Sequence, residues 1–264
     1  MERKVNLYKV LNESGYSCHG DTVKWSLPTL SRNGSWTPGE WMSLADGELK
    51  GCSNGYHVAD TRQLLNRLGP RIFKTEVGQE VVDCGDEYVA RECRLVRECT
   101  GWTEDAARKF ASDCVEYVLA LYEKMYPDNA YLFSAVDAAR FLTNAFACRK
   151  AYVHKINYDH TRQWVHDIFS RSVKSKAMCT REVDSHHSRL IALSGMFASL
   201  TDGSAVSAAK LTARAARNAV YATVLADTLA DNSVEMEEAR AVAKKAEGEA
   251  EEWQASRLSK ILEV

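Results

Sequence analysis

The sequence predicts an α+β domain over residues 1–101 and an all-α helical bundle over 102–264, the bundle closing in an alanine-rich helical hairpin. Three observations predict this division. Apolar side chains alternate in short runs as far as Val96 and from Thr103 recur every three or four positions, a change from the strand period to the helix period. Gly, Ser and Asn crowd the stretch from Gly15 to Gly55, whereas later breaks are few. Finally, alanines keep helical time from Ala208 to Ala250, just before Glu251-Glu252-Trp253-Gln254.

Taken in order, Lys4 to Val10 alternates as a strand with apolar matter on both faces, set by Val5 and Leu7. The irregular region to Gly55 carries Trp25, Trp36 and Trp41, whose side chains are the natural pins for so long a connection. Asp60 or Thr61 caps a short helix over Arg62–Leu68, with Leu64, Leu65 and Leu68 facing inward and Gly69-Pro70 ending it. Arg71–Val77 and Tyr88–Val96 read as strands, separated by turns at Gly78 and at Cys84-Gly85-Asp86. Thr103 then opens a helix on Ala107, Phe110, Cys114, Val118, Leu121 and Met125, with Glu104 and Asp105 suiting its dipole. Pro127 stops it. Further helices are expected over Tyr131–Ile156, over His160–Val173 and through Leu190, Leu193, Phe197 and Leu200. After the break at Asp202-Gly203-Ser204, a fifth helix shows the stripe Ala208, Leu211, Ala215, Ala219, Ala222, Ala226 and Leu229. A sixth shows Met236, Ala239, Ala243, Ala246, Ala250 and Trp253. Matching methyl-sized stripes predict that these two pack on each other as an antiparallel hairpin across Asp231-Asn232-Ser233, with Ala213 off the contact face.

With 34 Lys and Arg against 36 Asp and Glu, the formal net charge is −2, so no basic face is implied by totals and nucleic acid is not an expected partner. No long apolar run follows Met1-Glu2-Arg3-Lys4, and no window approaches the roughly 20 apolar residues of a membrane span. A cytoplasmic protein of a bacterial or phage-infected cell is expected. The eight cysteines are scattered without a CxxC pair, which predicts reduced core thiols rather than disulfides or a zinc clip.

His57, beside an expected strand, is a catalytic candidate with a downstream glutamate, Glu92 foremost and Glu76 and Glu80 behind it. Such a pair suits a transferase that holds a nucleotide sugar, with His orienting the ribose and Glu stabilising developing positive charge. Alternating strand polarity explains Glu76 and Glu92 equally well as solvent-facing residues. His154, His160, His166, His186 and His187 fall in or between helices, and adjacent histidines on a helix point about 100° apart, so no metal site is assigned. Neither a phosphate loop nor a nucleophile elbow occurs, and no cofactor is expected. For protein binding, Trp36, Trp41 and Trp102 are the candidate anchors, with at least one of them expected to be a buried pin.

Gly55-Tyr-His-Val-Ala-Asp60, Arg71-Ile-Phe-Lys-Thr-Glu-Val-Gly-Gln-Glu-Val-Val82 and Tyr88-Val-Ala-Arg-Glu-Cys-Arg-Leu-Val-Arg97 together resemble a domain of unknown function found in phage and bacterial proteins. The run Ala111-Ser-Asp-Cys-Val-Glu-Tyr-Val-Leu-Ala-Leu-Tyr-Glu-Lys-Met-Tyr-Pro-Asp-Asn129, Ala135-Val-Asp-Ala-Ala-Arg140 and the closing Glu252-Trp253-Gln254-Ala-Ser-Arg257-Leu258 are similar to helical immunity proteins related to the Imm5 group. Where that group carries Asp-Asp-Arg-Pro-Arg after its first helix, this chain has Pro127-Asp-Asn-Ala-Tyr-Leu132, so no role transfers to that loop. The resemblance implies a helical bundle that binds and inhibits another protein without a cofactor, and it carries over no catalytic residue. The expectation is a phage- or prophage-encoded accessory protein that neutralises or modulates a protein partner, of immunity or anti-defence type. The alternatives are an ADP-ribosyltransferase-like enzyme in the first domain and a virion or assembly component. The partner's identity and the oligomeric state are open at this point.

Overall fold

The computed structural model describes residues 5–18, 23–43, 47–51, 53–125, 204–231 and 233–263. The helices expected over Tyr131–Ile156, His160–Val173 and Leu190–Leu200 lie outside the described residues, as do His154, His160, His166, His186 and His187. The described part is mixed: a sheet-rich N-terminal region precedes long helices. By compactness the chain divides into one unit of Met1–Ala106 with Ala255–Val264, and a second of Ala107–Gln254.

In the first unit, β1 (Tyr8–Leu11), β6 (Arg71–Val77), β9 (Glu92–Glu98) and β4 (Met42–Ser43) form an antiparallel sheet in the order β1-β6-β9-β4. A second antiparallel sheet takes the order β5-β8-β7, from β5 (Tyr56–Val58), β8 (Tyr88–Ala90) and β7 (Val81–Asp83). Tyr8 and Ala59 exchange backbone hydrogen bonds of 2.8 and 2.9 Å, joining the two sheets at one corner. The core between them comprises Leu7, Leu11, Trp25, Val58, Phe73, Cys93 and Leu95. Burial pushes the Cys93 thiol up to about 12 and that of Cys99 to about 11, so both act as apolar packing rather than as nucleophiles.

The strand expected over Tyr88–Val96 breaks at Arg91, where β8 ends in one sheet and β9 begins in the other. Arg91 holds that corner. Its N–H donates to Glu80 O at 3.1 Å, and its guanidinium is paired with the Glu80 carboxylate and donates to Gly47 O at 2.7 Å. The irregular region also contains more strand than alternation reveals: β2 (Thr29–Leu30) pairs with β3 (Trp36–Thr37), and β4 joins β9. Gly39 is required there, because its N–H donates to Leu95 O at 2.9 Å and a Cβ at this position would lie 2.1 Å from Ser26 O. Asp60 caps α1 (Thr61–Leu64), accepting from the backbone N–H groups of Arg62 and Gln63 at 2.8 and 2.9 Å.

Thr103 opens α2 (Glu104–Met125), its Oγ1 accepting from Ala106 N at 3.1 Å, and Ser204 caps α3 (Ala205–Thr228). The last described helix is α4 (Met236–Leu262). Its Gln254 is 1% exposed, accepts from Arg217 Nη1 at 2.7 Å and donates to Ala213 O at 3.0 Å. Trp253 of α4 packs on Tyr117 of α2 with ring centroids 4.7 Å apart. Of the expected stripe in α3, Ala208, Ala219, Ala222, Ala226 and Leu229 are buried, but Leu211 is 40% exposed, and Ala213, expected off that face, is fully buried beside Ala209, Thr212 and Ala216. The physical reason is contrast. In a helix built mostly of alanine, hydrophobicity barely distinguishes one face from another, so a single leucine misdirects the stripe. In the first unit, the end of α4 supplies buried Leu258 and Leu262, and Arg97 Nη2 donates to Leu262 O at 3.1 Å. No helix among the described residues is long and apolar enough to cross a membrane.

Candidate functional site

Gly55 delivers the site. At φ 122° it takes a conformation that L side chains rarely adopt, and a Cβ there would lie 2.3 Å from Val89 Cγ1 and 3.1 Å from Leu49 Cδ2. The chain therefore passes close against β8 and emerges as Tyr56 and His57. His57 registers with Val89, and Glu87, two residues before Val89, falls on the same sheet face as the diagonal neighbour of His57. Gly85, at φ 86°, opens the two-residue turn that sends the chain back as β8, closed by Cys84 N to Glu87 O at 2.9 Å. Gln63 Nε2 donates to Gly85 O at 3.1 Å and ties α1 to this turn, which brings Arg67 alongside Asp86 and Glu87.

The result is a chain of charge around one buried carboxylate. Glu87 is 3% exposed, with Oε1 at 2.8 Å from His57 Nδ1 and Oε2 at 3.1 Å from Arg67 Nη1. Arg67 Nη2 also reaches Asp86 Oδ2 at 2.9 Å. With Nδ1 taken by Glu87, Nε2 is the remaining polar atom of the His57 ring. Lys9, from β1, donates to His57 O at 2.9 Å, and its ammonium lies 5.0 Å over the Trp25 ring. Burial pulls the Lys9 amine down to about 8, with Arg67 adding to the depression while Cys93, Cys18 and Glu87 oppose it. Trp25 is itself fixed, its Nε1 donating to Ser17 Oγ at 3.0 Å and its ring meeting Tyr56 edge-on at 5.4 Å.

These groups line a cavity of about 670 Å³ in the first unit, whose wall includes Lys9, Trp25, Tyr56, His57, Arg67 and Glu87. That volume falls within the roughly 300–1,000 Å³ usual for small-molecule sites, and the mixture of aromatic wall and few convergent polar groups is also usual there. No family model, curated protein or solved structure matches this chain. The site's chemistry therefore has to be read from its own residues.

His57 lies in the cavity wall, but Glu92 does not join it: Glu92 is exposed in β9, paired with Ser43 across the strand and packed against Gly78. Glu76 and Glu80 are likewise engaged elsewhere, with Arg94 and Arg91. Trp41 is 41% exposed and carries the Arg94 guanidinium 4.8 Å over its ring, and Trp36 is half-buried opposite exposed Leu30. Trp102 is a buried pin, 7% exposed, donating Nε1 to Gly69 O at 2.9 Å, so its ring is not presented to a partner. Among the described residues, no group of three or more His, Cys, Asp and Glu side chains is arranged to hold a metal ion.

Sequence reasoning missed Glu87, Arg67 and Lys9. For Glu87 a signal existed: it follows the Cys84-Gly85-Asp86 turn and shares the period-two face of Val89. Lys9, a cation between Tyr8 and Val10 in an otherwise apolar strand, was a second signal.

Proposed function

We propose that this chain acts by binding, with the first unit holding a small organic ligand in the cavity and the chain also engaging a protein partner. The observation that carries the ligand reading is the commitment of Glu87. Both Glu87 oxygens are engaged, by His57 and by Arg67, which holds these two side chains in the cavity wall. Glu87 is thus a positioning group that fixes the His57 ring and the cavity wall. Trp41, 41% exposed with the Arg94 guanidinium over its ring, supplies an exposed aromatic surface of the kind that anchors protein partners.

For the helices, the proposal is an all-α bundle in which α3 and α4 run antiparallel as a hairpin. Support comes from Gln254, which reaches both Ala213 and Arg217, and from the buried alanines Ala209, Ala216, Ala239 and Ala243. Under this reading the bundle belongs to an immunity or anti-defence type of accessory protein, phage or prophage encoded, working in the cytoplasm. The transferase reading has its own support in His57, which lines the cavity with its Nδ1 2.8 Å from a glutamate.

The test is a fragment screen by thermal shift, run on the wild type and on Ser53→Trp, which places bulk at an exposed lining residue. The expected result is stabilising fragments whose effect disappears in Ser53→Trp, together with no turnover of nicotinamide dinucleotide. Turnover abolished by His57→Ala would replace this reading with the transferase. Fragments unaffected by Ser53→Trp would remove the cavity from it.

A further inference from the structure

Resting on the cavity reading, the geometry points to a specific ligand class: we propose that the cavity takes an organic anion with a planar ring, of the nucleoside monophosphate class, its phosphate received by Lys9. Charge accounting in the wall leads there. Arg67 is paired with both Glu87 and Asp86, and Glu87 also occupies His57 Nδ1. Lys9 is left. Its ammonium has three donors, of which one goes to His57 O, and no carboxylate of the described residues lies within ion-pair distance. A desolvated cation with a carbonyl and a ring face as its partners is incompletely compensated, so an incoming anion gains more from it than from a hydrated surface lysine.

The rest of the wall sets the remainder of the ligand. His57 Nε2, the ring nitrogen not taken by Glu87, is left for a polar group of the ligand such as a sugar hydroxyl. Half-buried Tyr56 provides aromatic surface, held in place by Trp25, which is 3% exposed and backs the wall from the core. The volume of about 670 Å³ suits a whole nucleotide and far exceeds what a bare inorganic anion fills.

The experiment is calorimetric titration of the full chain with the four common nucleoside 5′-monophosphates, their nucleosides and inorganic phosphate, for the wild type and Lys9→Met. At least one monophosphate is expected to bind about tenfold or more tighter than its nucleoside, the ~1.4 kcal/mol of one charge-assisted contact. In Lys9→Met, checked for native circular dichroism, that difference disappears while nucleoside binding stays within about twofold. In the wild type the difference also shrinks as pH is raised through about 8, where Lys9 loses its proton in the field of Cys93, Cys18, Glu87 and Arg67. The inference is overturned if no monophosphate binds, if a monophosphate and its nucleoside bind alike, if Lys9→Met keeps the difference, or if inorganic phosphate binds as tightly as the best nucleotide. The cavity reading survives those outcomes wherever neutral fragments still respond to Ser53→Trp, and falls with the inference where nothing does.

Discussion

Two buried polar clusters stand in contrast. In the first unit, Glu87 gathers His57 and Arg67 at the wall of a cavity, and Lys9 sits beside them with donors to spare. In the second, Gln254 joins Arg217 and the Ala213 carbonyl inside packed helices, lowering the Arg217 pKa chiefly through burial. Both satisfy the demand that buried polar groups find partners. The difference lies in what surrounds them. Beside Gln254 there are close-packed alanines, so its hydrogen bonds fix register; beside Glu87 there is space, so the groups it orients are available to a ligand.

The two regions should also fail differently. The largest effect is expected where backbone shape depends on one glycine: Gly55→Ala meets both an unfavourable φ and Val89 Cγ1, and should cost about 2–4 kcal/mol in urea unfolding while abolishing fragment binding. Wild-type behaviour of that variant would mean the approach to β8 is not tight. Next in size, Gln254→Leu should cost about 2–3 kcal/mol by depriving Arg217 and Ala213 O of a buried partner, yet leave fragment binding unchanged. Loss of ligand binding in Gln254→Leu would erase the distinction between the two clusters.

A smaller contrast lies within α3. Ala213→Leu should destabilise by about 1–3 kcal/mol through overpacking, whereas Leu211→Ala should stay within about 0.5 kcal/mol. The reverse order would restore the stripe read from composition. The last contrast is a pH dependence. The Lys9 amine is depressed to about 8 in the folded protein from an ordinary 10.5, so between those values the unfolded chain binds more protons, and this group's contribution to stability rises with pH. Lys9→Met should therefore be more stable than the wild type below pH 8, and its advantage should shrink as pH approaches 10.5. An advantage independent of pH would mean that Lys9 is not desolvated.

What the sequence made legible follows local physics. Arg71–Val77 lies between the turn signals Gly69-Pro70 and Gly78, which give β6 its bounds, and Asp60, Thr103 and Ser204 announce helix starts because a capping side chain acts within three residues. His57 was found because histidine next to a strand is chemically conspicuous. Its partner was not, because the choice of Glu87 over Glu92 depends on the β5–β8 register, a pairing across more than thirty positions that no local pattern encodes. The break at Arg91 was hidden for a similar reason: Tyr88 to Val96 is apolar enough to be one strand, and only a second sheet makes it two. In the helices the failure was one of contrast, since Ala213 and Ala215 are the same residue and only packing separates them.

The most direct test of the central claim, that the Glu87 cluster bounds a working ligand site, is chemical-shift mapping of the full-length labelled protein with the strongest fragment or nucleotide. Perturbations concentrated at Lys9, Trp25, Tyr56 and His57, including a shift of the His57 Nε2 resonance, are the predicted result. Perturbations confined to Trp36 and Trp41 or to the helices, with His57 unmoved, would contradict it.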